Sequence, residues 1–265
     1  MPGVSVTVIT HNEAANIAAA LESVSWADEI IVIDAESADD TAEIARRFTQ
    51  KVVVRPWPGY VAQKNFAAEQ ATHDWVFSLD ADERVSPALA AEIRNVLERE
   101  PPNAGYRVPR VTFHLGRWIR STDWYPDYQL RLYDRRRARW TGRLVHESVK
   151  ADGPVGRLRN DLQHYAYRDL SHHLRSMDRY TTLAAQQMFE DGRRAGWFDV
   201  LIHSRLAFFR NFIVRGGFRD GMAGLIVSLM NSYYVSLKFA KLWELCSPST
   251  SIPRAPGAGD STRSS

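Results

Sequence analysis

The chain has 265 residues, 45% of them apolar, enough for one large domain or a domain with an appendage. Its net charge is only +3, but residues 1–100 carry 17 acidic and 8 basic side chains, so the back portion is basic and suited to something anionic: nucleic acid, a membrane surface or a phosphorylated substrate. The single cysteine, Cys246, excludes an intrachain disulfide and a Cys-based zinc site. With no apolar signal core after a charged start, a cytoplasmic protein is expected.

Residues 4–10 are β-branched and predict a strand, followed by His11-Asn12-Glu13 and then Ile17, Ala20, Leu21 and Val24 at helical spacing, with Asn12 as the expected N-cap. Residues 29–33, Glu29 followed by four apolar residues, are read as a strand buried on both faces and ending in Asp34. Helix over 42–48, strand over 52–54 and helix over 59–71 follow. The strand over 75–79 then runs into Asp80-Ala81-Asp82-Glu83, three acidic residues within four positions. Ser86 and Pro87 signal the start of the next helix, through Leu89, Ile93, Val96 and Leu97. Strand and helix thus alternate four times, the pattern of a parallel sheet with helices on both faces. Neither G-x-G-x-x-G nor G-x-x-x-x-G-K-[ST] occurs, so dinucleotide and P-loop readings lose support. Polar residues instead end three strands, at Thr10 to Glu13, at Asp34 and at Asp80 to Asp82. In a parallel sheet those ends lie along one edge and share one crevice.

From Gly105 the pattern changes. Tyr106-Arg107-Val108 and residues 129–133 alternate as strands do, with a turn expected over 134–137. Ser171 is the expected cap of a helix reaching Glu190. Residues 199–245 are at once apolar, aromatic and basic, with eight basic and two acidic residues between Arg193 and Lys241. The longest uncharged run, 221–237, falls short of the roughly 20 apolar residues that span a bilayer. An amphipathic segment on an anionic leaflet fits it better, against the alternative of helices packed on the domain. The tail, 247–265, is rich in Ser, Pro and Gly and is expected to be disordered.

The front half resembles the family 2 glycosyltransferases, inverting enzymes of GT-A fold. The resemblance rests on Thr10-His11-Asn12-Glu13, on Asp34 through Thr41, on Pro56 through Asn65 and on Asp80-Ala81-Asp82-Glu83. A narrower likeness, to bacterial lipopolysaccharide-core β-1,4-glucosyltransferases, rests on Gln63-Lys64-Asn65, Trp124-Tyr125-Pro126-Asp127-Tyr128-Gln129-Leu130-Arg131, Trp140 through Glu147 and Lys241-Leu242-Trp243. It implies a nucleotide-sugar-binding α/β half over 1–100 and an acceptor-side β-containing region over 101–170. A helical, membrane-associated extension over 171–246 follows, then the tail.

Transfer from a nucleotide sugar requires a neutralised diphosphate and an acceptor hydroxyl that loses its proton. Asp82 is the expected ligand of a divalent Mg or Mn ion, with Asp80 facing the ribose or the metal's water shell. Lys64 supplies a point charge for phosphate, beside Gln63. The resemblance implies that Asp34 accepts a hydrogen bond from a uracil imide, and that Thr10, Asn12 and Glu13 line base and ribose. Asp127 is the expected general base. His146 and Glu147 are rivals for that role or for a metal or phosphate contact, and Arg131 is a further candidate. The partners implied are a nucleotide-sugar donor, probed as UDP-glucose, a lipid-linked saccharide acceptor and the inner-membrane surface; nucleic acid is not expected beside so acidic a front half. Two alternatives remain. A haloacid-dehalogenase-type phosphatase also opens on an apolar strand and D-x-D, although here Arg84 stands where that motif carries Thr or Val. The other is a non-catalytic nucleotide-sugar-binding or scaffold protein.

Overall fold

The computed structural model describes residues 2–99, 101–142 and 147–247. Its front half follows the periodicity: β1 (Val4–Thr10), α1 (Ile17–Glu22), β2 (Glu29–Asp34), α2 (Thr41–Arg46), β3 (Val52–Val54), α3 (Tyr60–Glu69), β4 (Trp75–Asp80), β5 (Glu83–Val85) and α4 (Pro87–Glu98). Every residue of β1 is buried, because β2 and β4 pair with it in parallel on either side and helices cover both faces. On one face Val4, Val6, Val8, Phe77 and Leu79 pack with Ile17 and Leu21 of α1 and with Leu89 and Ile93 of α4. On the other, Ile9, Ile31, Ile33 and Val76 pack with Ala67 and Ala68 of α3. The alternation of side chains along a strand divides one apolar run between these two cores.

The back half adds β6 (Gly105–His114), β7 (Arg117–Ile119), β8 (Asp127–Asp134), β9 (Ala138–Thr141), β10 (Ser148–Ala151), β11 (Val155–Arg157) and β12 (Leu162–His164). The main sheet runs β3-β2-β1-β4-β8-β6-β12-β5, with β7 and β11 also on β6, and β9 and β10 form a separate hairpin. The pairings from β3 to β4 are parallel and the sheet becomes mixed at β8, antiparallel to β4. Thr10 lies opposite Asp34, and Ile9 opposite Asp80, so the three polar strand ends do share one edge.

Two expected helix starts move. Asn12 does not cap α1, whose N-cap position is Asn16. Asn12 adopts a positive φ of 54° and turns its side-chain oxygen to the Ala38 N–H at 2.8 Å, joining the loop after β1 to the loop after β2. Ser171 does not cap the helix beyond it; Asp169 does, its carboxylate accepting from the His172 N–H at 2.6 Å. A carboxylate at that position also meets the positive end of the helix dipole.

The C-terminal region contains α5 (Leu170–Glu190), α6 (Trp197–Phe209) and α7 (Gly221–Cys246), with a π-helical turn Arg210–Val214 and a 3-10 turn Gly217–Asp220 between the last two. Residues 248–265, most of the expected tail, lie outside the described residues. Two buried polar side chains dock these helices on the sheet. Asp220 accepts from the Ser121 hydroxyl at 2.6 Å and the Arg120 N–H at 3.0 Å. Asn211 accepts from the Asp123 N–H at 2.7 Å. Gly224 is required where α7 crosses the 3-10 turn, because a Cβ there would lie 1.8 Å from the Gly217 carbonyl oxygen.

His173 of α5 is stacked on Tyr167, ring centroids 4.2 Å apart, and meets His114 edge to face. Burial, reinforced by the neighbouring His114 and His172, pushes its pKa down from 6.5 to about 4. The unfolded chain therefore binds a proton here between those values that the folded chain refuses, and stability falls as pH drops through that window. The thermal midpoint is expected to fall between pH 7 and pH 4.5, and to fall less in His173→Phe. An equal fall in both proteins would exclude His173 as the cause.

Candidate functional site

At the shared strand edge, six side chains of alternating charge form one continuous chain. The Lys64 ammonium, on α3, lies 3.0 Å from one Asp80 oxygen, and the Arg131 guanidinium, on β8, donates to the other at 2.6 Å. The same Arg131 nitrogen reaches Glu83 at 2.6 Å. Glu83 in turn accepts from Arg110 of β6 at 3.1 Å, and Arg110 forks onto Asp127 at 2.9 and 2.7 Å. Arg131 is 3% exposed and Glu83 fully buried. Removing such ions from water costs several kcal/mol each unless partners compensate, and here each has two. Burial opposes ionisation of Asp80, yet Arg131 and then Lys64 hold its carboxyl well below the usual range. Burial likewise disfavours charge on Arg131, but Asp80 and Glu83 more than restore it.

This arrangement shows where three candidate residues lie. Lys64 is buried, and its ammonium also sits 4.2 Å from the Trp140 ring centroid. Asn65 fixes that tryptophan by exchanging two 3.0 Å hydrogen bonds with its backbone, which joins the Gln63-Lys64-Asn65 and Trp140 segments. Asp80, expected at the ribose or a metal's water shell, has each carboxylate oxygen on a protein cation. Arg131 stands at the centre of the network.

Asp82 is separate from the chain. Its carboxylate lies 3.3 Å from His164 Nε2, and His164 Nδ1 lies 3.2 Å from the Thr112 hydroxyl. Burial would raise the Asp82 carboxyl, but His164 outweighs it and holds the group below its usual value. Glu13 faces Asp82: burial raises its carboxyl, the Asn16 hydrogen bond opposes this, and the Asp82 charge raises it further. Asp34 is buried, and both its oxygens accept from Ser37, at 2.9 Å from the N–H and 2.6 Å from the hydroxyl. That is a local turn contact and not a helix cap. The Thr10 hydroxyl and the Gln63 amide are buried with no hydrogen-bond partner among the described residues. Orphaned polar groups of this kind are costly and mark a place that a polar ligand completes. His146 lies outside the described residues, and Glu147 makes no ion pair among them.

A hard cation that arrives with a diphosphate asks the protein for only one or two carboxylates. Asp82 fits that demand, since its side chain is 28% exposed and Glu13 adds negative potential. Among the described residues no group of three His, Cys, Asp or Glu could hold an ion alone.

Three residues of the site escape sequence reasoning: Arg110, His164 and Glu83. Arg110 and His164 come from separate strands that only the sheet order brings beside the acidic turn. Glu83 was visible as part of the acidic run, but not its burial.

A parallel sheet with acidic strand ends, continued by mixed strands and flanked by helices, is a GT-A type of fold. The chain belongs to glycosyl transferase family 2, whose model matches residues 5–151, and it is a transferase. It is 29% identical over 247 residues to the lipopolysaccharide core biosynthesis glycosyltransferase LpsC of Rhizobium meliloti (strain 1021), covering 91% of this chain and 92% of that one. An uncharacterized glycosyltransferase of Rickettsia bellii (strain RML369-C) is 31% identical over 263 residues, covering 93% of this chain and 89% of its own. Among solved structures, the mannosyltransferase PcManGT from Pyrobaculum calidifontis, in complex with GDP-Man and Mn2+, shares the fold with a TM-score of 0.51 at 16% identity, over 92% of this chain and 88% of its own. Family membership removes the phosphatase alternative.

Glu83→Gln leaves Arg110 and Arg131 short of a counter-charge and is expected to cost about 3 kcal/mol. In urea unfolding the midpoint should fall with an unchanged slope; an unshifted midpoint would show that the buried bridge does not support the fold.

Proposed function

We propose that this transferase moves a hexose, glucose from UDP-glucose, onto a lipopolysaccharide-core acceptor with inversion at the anomeric carbon. The observation that carries the reading is the charge chain, which joins the donor-side pair Lys64–Asp80 to the acceptor-side carboxylate Asp127. The acceptor class is supported by the full-length likeness to LpsC.

In this reading Asp34, Thr10, Asn12 and Glu13 line the nucleoside, and Gln63 and Lys64 approach the diphosphate, whose charge competes with Asp80 for the ammonium. Asp82 would hold a Mg or Mn ion, which supplies charge neutralisation to the leaving diphosphate. Asp127, its side chain 30% exposed, receives the acceptor proton as the hydroxyl oxygen bonds the anomeric carbon and the bond to phosphate breaks. Arg110 on one oxygen and Gln129 on the other, at 2.6 Å, fix its direction. Asp127→Asn should lower transfer by a factor of about 100 to 10,000 with UDP-glucose binding retained in calorimetry; wild-type turnover would remove Asp127 as the base. Asp82→Asn should abolish the Mn²⁺ dependence of donor binding, and an unchanged dependence would move the ion elsewhere.

The acceptor's lipid end gives the C-terminal helices their part. α7 turns its polar side inward: Ser228 bonds the Gly224 carbonyl, Asn231 accepts from Trp124 Nε1 and Ser232 bonds the Ser204 carbonyl. Its apolar residues Met222, Leu229 and Tyr233 point outward, joined by Trp197, Leu206, Phe209 and Val214, with Trp197 73% and Met222 70% exposed. Arg205, Arg210, Arg215 and Arg219 are interspersed among them. Apolar side chains outward with arginines between them suit the headgroup boundary of an anionic leaflet. Among the described residues no helix is long and apolar enough to cross a membrane, so the proposed association is peripheral, at the inner face of the cytoplasmic membrane. The full chain should sediment with phosphatidylglycerol-containing vesicles at low salt and be released as salt rises; protein left in the supernatant at low salt would refute this location.

A further inference from the structure

One row of side chains belongs neither to the cores nor to the charge chain. β7, β6, β12 and β5 lie side by side. Trp118 and Phe113 face each other across the β6–β7 hairpin with ring centroids 5.1 Å apart. Tyr165, just beyond β12, lies 5.7 Å from Phe113 and 5.4 Å from Trp118. On β5 the Arg84 guanidinium lies over the Tyr165 ring at 3.9 Å. All four side chains are half-buried.

Two features set this row apart from ordinary packing. The hairpin turn places Leu115 at a φ of 52° before Gly116 at 78°, a conformation unfavourable for a leucine. Two positive φ values are nevertheless what a two-residue hairpin needs to hold its register, and that register puts Trp118 on Phe113. Arg84, moreover, has no ion pair or hydrogen bond among the described residues. Among the described residues its guanidinium rests on the ring beneath it, and the donor edge faces away from that ring. Arg84 also lines a cleft of about 780 Å³ between α1 and α4, where Arg94 donates to the Trp26 carbonyl at 2.6 Å. The row starts beside the reaction centre, since the Tyr165 N–H donates to the Asp82 carbonyl at 2.9 Å.

A sugar ring has an apolar C–H face and a polar rim, and rigid aromatic side chains cover the first at low entropic cost. A guanidinium held flat on a ring presents paired donors to a carboxylate or phosphate. We propose that Trp118, Phe113, Tyr165 and Arg84 form a subsite for an anionic saccharide, holding the already built part of the acceptor while its end is extended. This rests on the reading of the protein as a saccharide-extending transferase.

The test is calorimetry without donor, on the full chain, with three probes: the deacylated core oligosaccharide of lipopolysaccharide, the same oligosaccharide after phosphatase treatment, and the same after carboxyl reduction. Wild type should bind the untreated probe best, and Arg84→Ala should weaken that binding about tenfold, the scale of a charge-assisted contact, and erase the preference for charge. Trp118→Ala should weaken all three probes. Whichever treatment weakens wild-type binding identifies phosphate or carboxylate as the anion. Arg84→Gln, with its thermal midpoint measured, repeats the test should the alanine variant fold poorly. No binding by wild type, equal binding of all three probes, or wild-type affinity in folded Arg84 and Trp118 variants would overturn the subsite. Failure of the transferase reading appears separately, as no transfer from any nucleotide sugar to any acceptor, and leaves the binding result readable.

Discussion

The buried guanidinium of Arg131 is the constraint on which the site depends. It lies between Asp80, the last residue of β4, and Glu83, the first residue of β5, and so fixes the acidic turn at both ends. An ion this deeply buried is tolerated only when its counter-charges are in place. The fold therefore cannot relax Asp80 or Glu83 without exposing or orphaning a cation. The turn is thereby held rigid, and Asp82, the carboxylate between them, is presented with His164 beside it and Glu13 facing it. Rigid support of this kind is what a reacting constellation needs, since placement errors of an ångström are expensive in rate.

The network also has a direction. Lys64 lies on a helix packed against the parallel half of the sheet, and Arg110 and Asp127 lie on antiparallel strands of the mixed half. The two halves thus meet through charge as well as through the pairing of β4 with β8. On the proposed reading, one half binds the donor and the other aligns the acceptor. The helical region is tied to the mixed half by Asp220 and Asn211, with many of its apolar side chains turned outward. A helix whose serines and asparagine face the protein explains why the run from Gly221 to Leu237 is polar at intervals without being a failed membrane span.

Much of this was legible in the sequence. The β-branched residues of Val4 to Thr10 announced a strand, the run Ile30 to Ile33 announced one buried on both faces, and Ser86-Pro87 announced the start of α4, where the Ser86 hydroxyl accepts from Leu89 N–H at 3.2 Å. The convergence of Thr10, Asp34 and Asp80 followed from parallel pairing alone. What could not be read were facts of tertiary pairing. Asn12 has the chemistry of a cap but is used between loops, because the chain turns through a left-handed conformation before α1 begins. Asp169 rather than Ser171 caps α5 because the helix begins two residues earlier than its hydroxyl signal suggested. Lys64 and Glu83 look like surface charges until β8 and β6 bring arginines against the acidic turn. No local pattern records that approach.

The most direct test of this account is a crystal structure of the full chain with UDP-glucose and Mn²⁺, phased so that manganese is located by its anomalous signal. The account predicts manganese on an Asp82 oxygen, the diphosphate on the Lys64 side and the anomeric carbon facing Asp127. Manganese and nucleotide bound away from the edge defined by Thr10, Asp34 and Asp82 would contradict it.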